Sequence, residues 1–314
     1  AFLPVVLFQR CHNGIFLGRK EVQKVNDINL IDKISTLVLL VTFLYFFKFG
    51  VLGAGMSFLI APFLSIIFIL FWVRRYFTQP RPFSFKIAKR MIGMGFLYSV
   101  ALLIIQLNYR IDVLILGKLQ NEYSVGIYSV GVNICELLKE LPLAIGLVLF
   151  SSSTNWKPEN TSESLTKVMK LARVTFVILL AIAILLAVAA SILIPLLYGK
   201  AFSESANVIY VLLPGIVVLS VFVILYQFAA GQGKPELTFY AFLPGLVLNV
   251  VLNFLFIPKW SYIGAALSST ISYSAASFLY FYIFNRFYKT KLANLFCVSW
   301  TDIMDVFKLL LGKR

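Results

Sequence analysis

Apolar residues run almost without interruption over 35–47, 50–73, 174–197, 208–231 and 262–285, with polar or turn-forming residues between the runs. None of these stretches alternates with the period of two expected of a half-buried strand, and several exceed the ~20 residues that cross a ~30 Å hydrocarbon core. The pattern predicts an all-α integral membrane protein, a polytopic helical bundle. Reading each run outward to its polar ends gives a partial span at 1–18 and spans at 22–48, 50–73, 91–118, 124–152, 170–198, 207–231, 237–257 and 262–285, so eight full transmembrane helices plus a partial one. The longest connections, 74–90 and 153–169, are polar and hold no strand-like run. A membrane β-barrel is excluded, because its spans would be alternating segments of about 10 residues.

Composition agrees with this pattern: 60% of the 314 residues are apolar and 13% charged, against roughly 45–50% and 25% in soluble domains. The formal charge of +15 would suggest nucleic acid in a soluble chain. Here the basic residues sit between apolar runs and report topology instead. One alternate set of connections holds Arg19, Lys20, Lys24 and Lys33, then Arg74, Arg75, Arg81, Lys86, Lys89 and Arg90, then Lys157, Lys167, Lys170 and Arg173, then Lys234, and the basic tail from Arg286 to Arg314. The other set has Lys48, Arg110, Lys118, Lys200 and Lys259. The positive-inside rule makes the first set cytoplasmic, and with it the C-terminus, in a multi-pass protein of the cytoplasmic (inner) membrane. Cys11, Cys135 and Cys297 have neither metal-ligand nor CxxC spacing and are expected as free thiols. The tail 299–314 has an apolar stripe of Trp300, Ile303, Met304, Phe307 and Leu310-Leu311, which predicts an interfacial amphipathic helix.

Residues 49–77 align without a gap on 260–288, so that Gly53-Ala54 falls on Gly264-Ala265 and Arg75-Tyr76 on Arg286-Phe287. Gly18-Arg19 lands near Gly233-Lys234 at almost the same offset. This recurrence points to an internal duplication and to a two-lobed transporter fold whose N-terminal lobe is truncated. The expected divisions are 1–77 as the remnant of the N-terminal lobe, 78–90 as a cytoplasmic linker, 91–288 as a six-helix C-terminal lobe and 289–314 as the tail.

Charges at mid-membrane cost roughly 2.5–3.5 kcal/mol each on insertion scales, so those within spans should face a cavity or a partner. In 91–118, Gln106 shares a helix face with Arg110, and Asn108 with Asp112. In 124–152, Ser129, Asn133, Glu136 and Glu140 form a stripe, with Lys139 three residues after Glu136. Two readings stand for this stripe: a Lys139–Glu136 bridge that serves packing alone, or a water-filled cavity that hosts the whole group. For Arg110 and Asp112 the alternative is snorkelling to the nearby interface. Asn249 and Asn253, four apart, suit interhelical hydrogen bonds, His12 is expected to be solvated, and Pro214 and Pro244 should kink their spans. No Ser/His/Asp set, HExxH, P-loop or Gly-rich nucleotide loop occurs, and no metal or cofactor is expected.

The run Asn108-Tyr109-Arg110-Ile111-Asp112 through Gly117, then Val125-Gly126-Ile127-Tyr128-Ser129, then Glu136 through Leu141-Pro142, resembles the polysaccharide biosynthesis (O-antigen flippase-type) branch of the multidrug/oligosaccharidyl-lipid/polysaccharide exporter superfamily. Leu197-Tyr198-Gly199 with Ala201-Phe202, and Asn253 through Ile257-Pro258-Lys259 followed by Gly264-Ala265-Ala266, fit it as well, so the resemblance runs from about residue 8 to 288. It implies a flippase that moves a polyprenyl-diphosphate-linked oligosaccharide to the outer leaflet by alternating access. Surface polysaccharide synthesis (O-antigen, capsule or exopolysaccharide) would be the purpose, with membrane lipids as surroundings and a polysaccharide polymerase and glycosyltransferases of the pathway as partners. No nucleic acid is implied. Arg110, Lys139, Gln106 and Asn133 would then line the substrate cavity, and Asp112, Glu136 and Glu140 would be coupling groups or counter-charges. The competing readings are a cation-coupled multidrug efflux transporter of the same superfamily, a membrane glycosyltransferase or polymerase, for which the outer connections are too short, and a non-catalytic scaffold.

Overall fold

The computed structural model describes residues 2–74, 84–153 and 161–290. Among them the chain is helical throughout: α1 (Phe2–Gly18), α2 (Val22–Val41, prolonged by a π-helical turn at Thr42–Phe46), α3 (Gly50–Val73), α4 (Phe85–Leu119), α5 (Glu122–Ser153), α6 (Thr161–Tyr198), α7 (Ser205–Gly231) and α8 (Glu236–Tyr288). α8 is two helices in one, since Ser261 has non-helical torsions (φ 48°, ψ −128°) that separate a limb ending at 260 from one beginning at 262. These are the nine segments expected, with the spans 237–257 and 262–285 meeting at a single broken residue. Six stretches, from α2, α3, α4, α6, α7 and α8, are long and apolar enough to cross a membrane. α5 is as long, but Glu122, Glu136, Lys139 and Glu140 set it apart.

Two helices reach further than their apolar runs. α4 begins at Phe85 and α6 at Thr161, so each takes in residues read as connection. Continuing the helix satisfies the backbone of these basic segments internally, while long side chains such as Lys86, Lys89 and Arg90 carry their charge to water. Hydropathy locates only the part of a helix that lies in hydrocarbon. The tail helix expected over 299–314, the first part of the linker (78–83) and Cys297 lie outside the described residues. Cys11 and Cys135 are free thiols.

The chain divides into two compact units, Ala1–Ile87 and Ala88–Arg314. In the first, α2 and α1 pack on α3. In the second, α7 is buried around its whole circumference and packs against α5, α6 and α8. Outward-facing Leu185, Val188, Ile192 and Leu196 of α6 are more than two-thirds exposed in the isolated chain, as befits a helix whose solvent is lipid. Close backbone approach substitutes for the hydrophobic effect between helices. A Cβ on Gly131 of α5 would stand 2.7 Å from Val208 of α7, and one on Gly215 of α7 would stand 2.8 Å from the Cα of Thr270 of α8.

The repeated sequence carries repeated geometry. Gly50 (φ 56°) and Ser261 (φ 48°), 211 residues apart, each take a left-handed torsion at the start of a helix. About two turns on, Ser57 donates to the Gly53 carbonyl at 2.9 Å and Ser268 donates to the Gly264 carbonyl, also at 2.9 Å. α1 and α7 end alike. The Glu21 N–H bonds the Phe16 carbonyl while Lys20 N–H bonds Leu17, and Lys234 N–H bonds Ala229 while Gly233 N–H bonds Ala230. Both ends are therefore Schellman motifs, with Lys20 and Gly233 in the left-handed position.

Candidate substrate site in the second unit

The short turn after α4 returns the chain into α5, whose first turn is capped where the Asn121 side chain accepts the Ser124 N–H at 2.9 Å. Farther along the two helices, Arg110 of α4 meets Glu136 of α5, with Nη2 donating to Oε2 at 3.0 Å. The other carboxylate oxygen, Oε1, accepts from Lys139 Nζ at 3.0 Å, so the expected Lys139–Glu136 bridge exists and is extended by a second cation. Lys139 also lies over the Tyr109 ring, 4.0 Å from its centroid. The side chains differ in access: Arg110 is 54% exposed, Glu136 22% and Lys139 11%. The trio carries a net charge of one positive, offered through Arg110. Behind it lies a small cavity lined in part by Tyr128, Val132, Cys135, Ile216 and Tyr273.

Asp112 is two residues from Arg110 and turned roughly 200° away around the helix. It is fully buried. Its Oδ1 accepts the Val113 N–H at 3.1 Å, and its Oδ2 accepts from the Ser269 hydroxyl at 2.6 Å and from the Tyr128 hydroxyl. This carboxylate has three donors and no basic partner within ion-pair distance among the described residues. It joins α4 to α5 and to the second limb of α8. One turn inward, Asn249 donates to the Asn108 side-chain oxygen at 2.9 Å and to its backbone carbonyl at 3.1 Å, and Ser272 donates to the same Asn108 side-chain oxygen at 3.3 Å. Asn253 donates to Asn249. These buried groups form a polar seam between α4 and α8, as the spacing of Asn249 and Asn253 led one to expect.

Of the residues predicted from sequence, Arg110, Glu136 and Lys139 are brought together. Gln106, Asn133 and Glu140 are exposed on the surface of the unit, the latter two on the α5 face that includes Leu137. Asp112 is separated from all of them. His12 is half-buried and bonds the Phe8 carbonyl at 2.7 Å. Tyr109, Tyr128, Ser269 and Ser272 were not singled out. Tyr109 and Tyr128 stand inside the motifs quoted above, so a neighbouring aromatic was the available signal. Ser269 and Ser272 had none, being small residues in an apolar run.

Residues 5–207 match the family model described as polysaccharide biosynthesis protein. Among curated proteins, the chain is 23% identical over 210 residues to the probable low-salt glycan biosynthesis flippase Agl15 of Haloferax volcanii, covering 66% of this chain and 44% of that protein. It is 24% identical over 167 residues to an uncharacterized membrane protein of Methanocaldococcus jannaschii, covering 53% and 33%. It is 31% identical over 96 residues to the capsular polysaccharide biosynthesis protein CapF of Staphylococcus aureus, covering 31% and 24%. The matched segments thus span less than half the length of each of these relatives. Among solved structures, the MATE transporter VcmN of Vibrio cholerae superposes with a TM-score of 0.74 at 14% identity, over 91% of this chain and 67% of that one. A transporter of the MOP superfamily from Pyrococcus furiosus superposes with a TM-score of 0.77 at 17% identity, over 91% and 67%. These superpositions establish a shared transporter fold. The family match extends over more than half of the 314 residues, and this multi-pass membrane chain belongs to the polysaccharide biosynthesis protein family.

Proposed function

We propose that the chain is part of a flippase that carries a polyprenyl-diphosphate-linked oligosaccharide from the cytoplasmic to the outer leaflet of the cell membrane, without acting as an enzyme. The observation that carries this reading is the Arg110–Glu136–Lys139 cluster, a net positive charge on two membrane helices with the arginine side chain half exposed. A lipid diphosphate brings fixed negative charge and a polar glycan, neither of which crosses hydrocarbon unaided. Arg suits a phosphate because its planar fork donates two parallel hydrogen bonds. Gln106, Asn133 and Glu140, exposed on the same unit, are proposed to line the path of the glycan. The relative named as a glycan biosynthesis flippase and the one named for capsular polysaccharide biosynthesis support this substrate class.

Asp112, held by three donors in the seam, is proposed as a coupling group that α8 engages through Ser269 rather than as a substrate ligand. The duplicated geometry supports two related lobes, 1–77 and 91–288 joined by 78–90, that rock in alternating access. The basic connections support a cytoplasmic C-terminus, and a polymerase and glycosyltransferases of the pathway are proposed as partners. The test is export by the full-length protein. Arg110→Ala should abolish surface polymer at normal membrane abundance, and Arg110→Lys should retain part of it, because charge survives while bidentate geometry does not. Full export by Arg110→Ala would remove the cluster from the mechanism.

A further inference from the structure

Glu136 divides its two carboxylate oxygens between two cations on two helices: Oε2 to Arg110 and Oε1 to Lys139, each at 3.0 Å. A carboxylate so shared occupies the position an oxyanion ligand would take between the same two donors. The three side chains are also unequal in freedom. Lys139 is nearly buried, sits over the Tyr109 ring and belongs to the same helix as Glu136 at i, i+3. Arg110 reaches across from α4 on a long side chain, more than half exposed. The contact that can open without disturbing buried groups is therefore the one between Arg110 and Glu136.

We propose that Glu136 is a resident surrogate for the ligand's phosphate, which holds Arg110 while the site is empty and is displaced when a diphosphate arrives. This rests on the diphosphate reading above and adds what sets the affinity. Without Glu136, two cations would stand unpaired on membrane helices, a costly arrangement that would also bind a diphosphate more tightly and release it more slowly. With it, each cation keeps an anionic partner throughout the exchange. Arg110 moves from Glu136 to a phosphate oxygen, and Glu136 stays neutralised by Lys139. When the ligand leaves, the same carboxylate recaptures the guanidinium. Glu136 is thus a positioning residue that competes with substrate, and removing its charge should strengthen binding, which loss of a merely structural bridge would not do.

The experiment measures binding of two probes to the full-length protein in lipid nanodiscs: inorganic pyrophosphate, and undecaprenyl diphosphate incorporated in the bilayer. Glu136→Gln keeps the shape and one acceptor, and its Kd for both probes should fall on the order of tenfold relative to wild type, a 1.4 kcal/mol change, while export slows because release slows. Glu136→Asp, too short to reach both cations, should lie between the two. If wild type binds both probes and Glu136→Gln binds them equally or more weakly, the surrogate role is overturned and the diphosphate reading stands. If Glu136→Gln gains affinity for pyrophosphate while no form binds the lipid diphosphate, the anion-exchange role stands and the lipid-linked substrate is wrong. Binding of neither probe by any folded variant would overturn both.

Discussion

Replacing Gly131 by Ala tests the packing that places Glu136 and Lys139. The added Cβ would stand 2.7 Å from both Cβ and Cγ1 of Val208 and 3.1 Å from the Ser205 carbonyl oxygen. Carbon atoms rest at about 3.5–4.0 Å, so α5 and α7 must part locally by roughly 1 Å. Val208 is fully buried and β-branched, and its side chain cannot swing aside. The same parting stretches the hydrogen bond from the Ser205 hydroxyl to the Ile127 carbonyl, now 2.8 Å, beyond hydrogen-bonding length. Overpacking of this kind costs about 1–3 kcal/mol, against a gain of about 1 kcal/mol from replacing Gly by Ala in a helix. The net expectation is a loss of up to about 2 kcal/mol, a fall in Tm of several degrees. The assay is thermal unfolding of purified protein in one detergent at a fixed scan rate, because such unfolding is commonly irreversible. Gly126→Ala is the control on the same helix. Its Cβ would meet only the Phe202 ring at 3.7 Å, an ordinary contact, so it should match or exceed wild type. If Gly131→Ala proves as stable as Gly126→Ala, α5 and α7 do not approach as described.

The torsions of Ser261 (φ 48°, ψ −128°) favour glycine and cost on the order of 1–3 kcal/mol in other residues, whereas its hydrogen bond to the Ser124 hydroxyl at 2.9 Å returns about 1 kcal/mol. Ser261→Gly should therefore equal or exceed wild-type Tm and Ser261→Val should fall well below it; the opposite order in the thermal scan would show that α8 does not break there. Topology is open to labelling in a variant whose native cysteines are replaced. Asn121→Cys, in the exposed turn before α5, should react with an impermeant thiol reagent on intact cells, and Thr166→Cys, exposed near the start of α6, only after permeabilisation. The reverse pattern would invert the orientation.

Much of the fold was legible in the chain because a bilayer imposes its own period: apolar runs must match its thickness, and every backbone group must be satisfied within a helix. The internal repeat was legible too, since Gly53 and Gly264 each mark where a helix begins against the preceding segment. The Lys139–Glu136 pair could be read from i, i+3 spacing, as could the opposed faces of Arg110 and Asp112. The sequence could not say that α5 would bring Glu136 within 3.0 Å of Arg110, nor that Asp112 would find Ser269, 157 residues away. Those partners depend on how α4 packs beside α5 and α8. That packing is decided by small residues and shape rather than by any periodic signal, because lipid is as apolar as the helices it surrounds and so leaves the choice of neighbour to close contact and to buried hydrogen bonds.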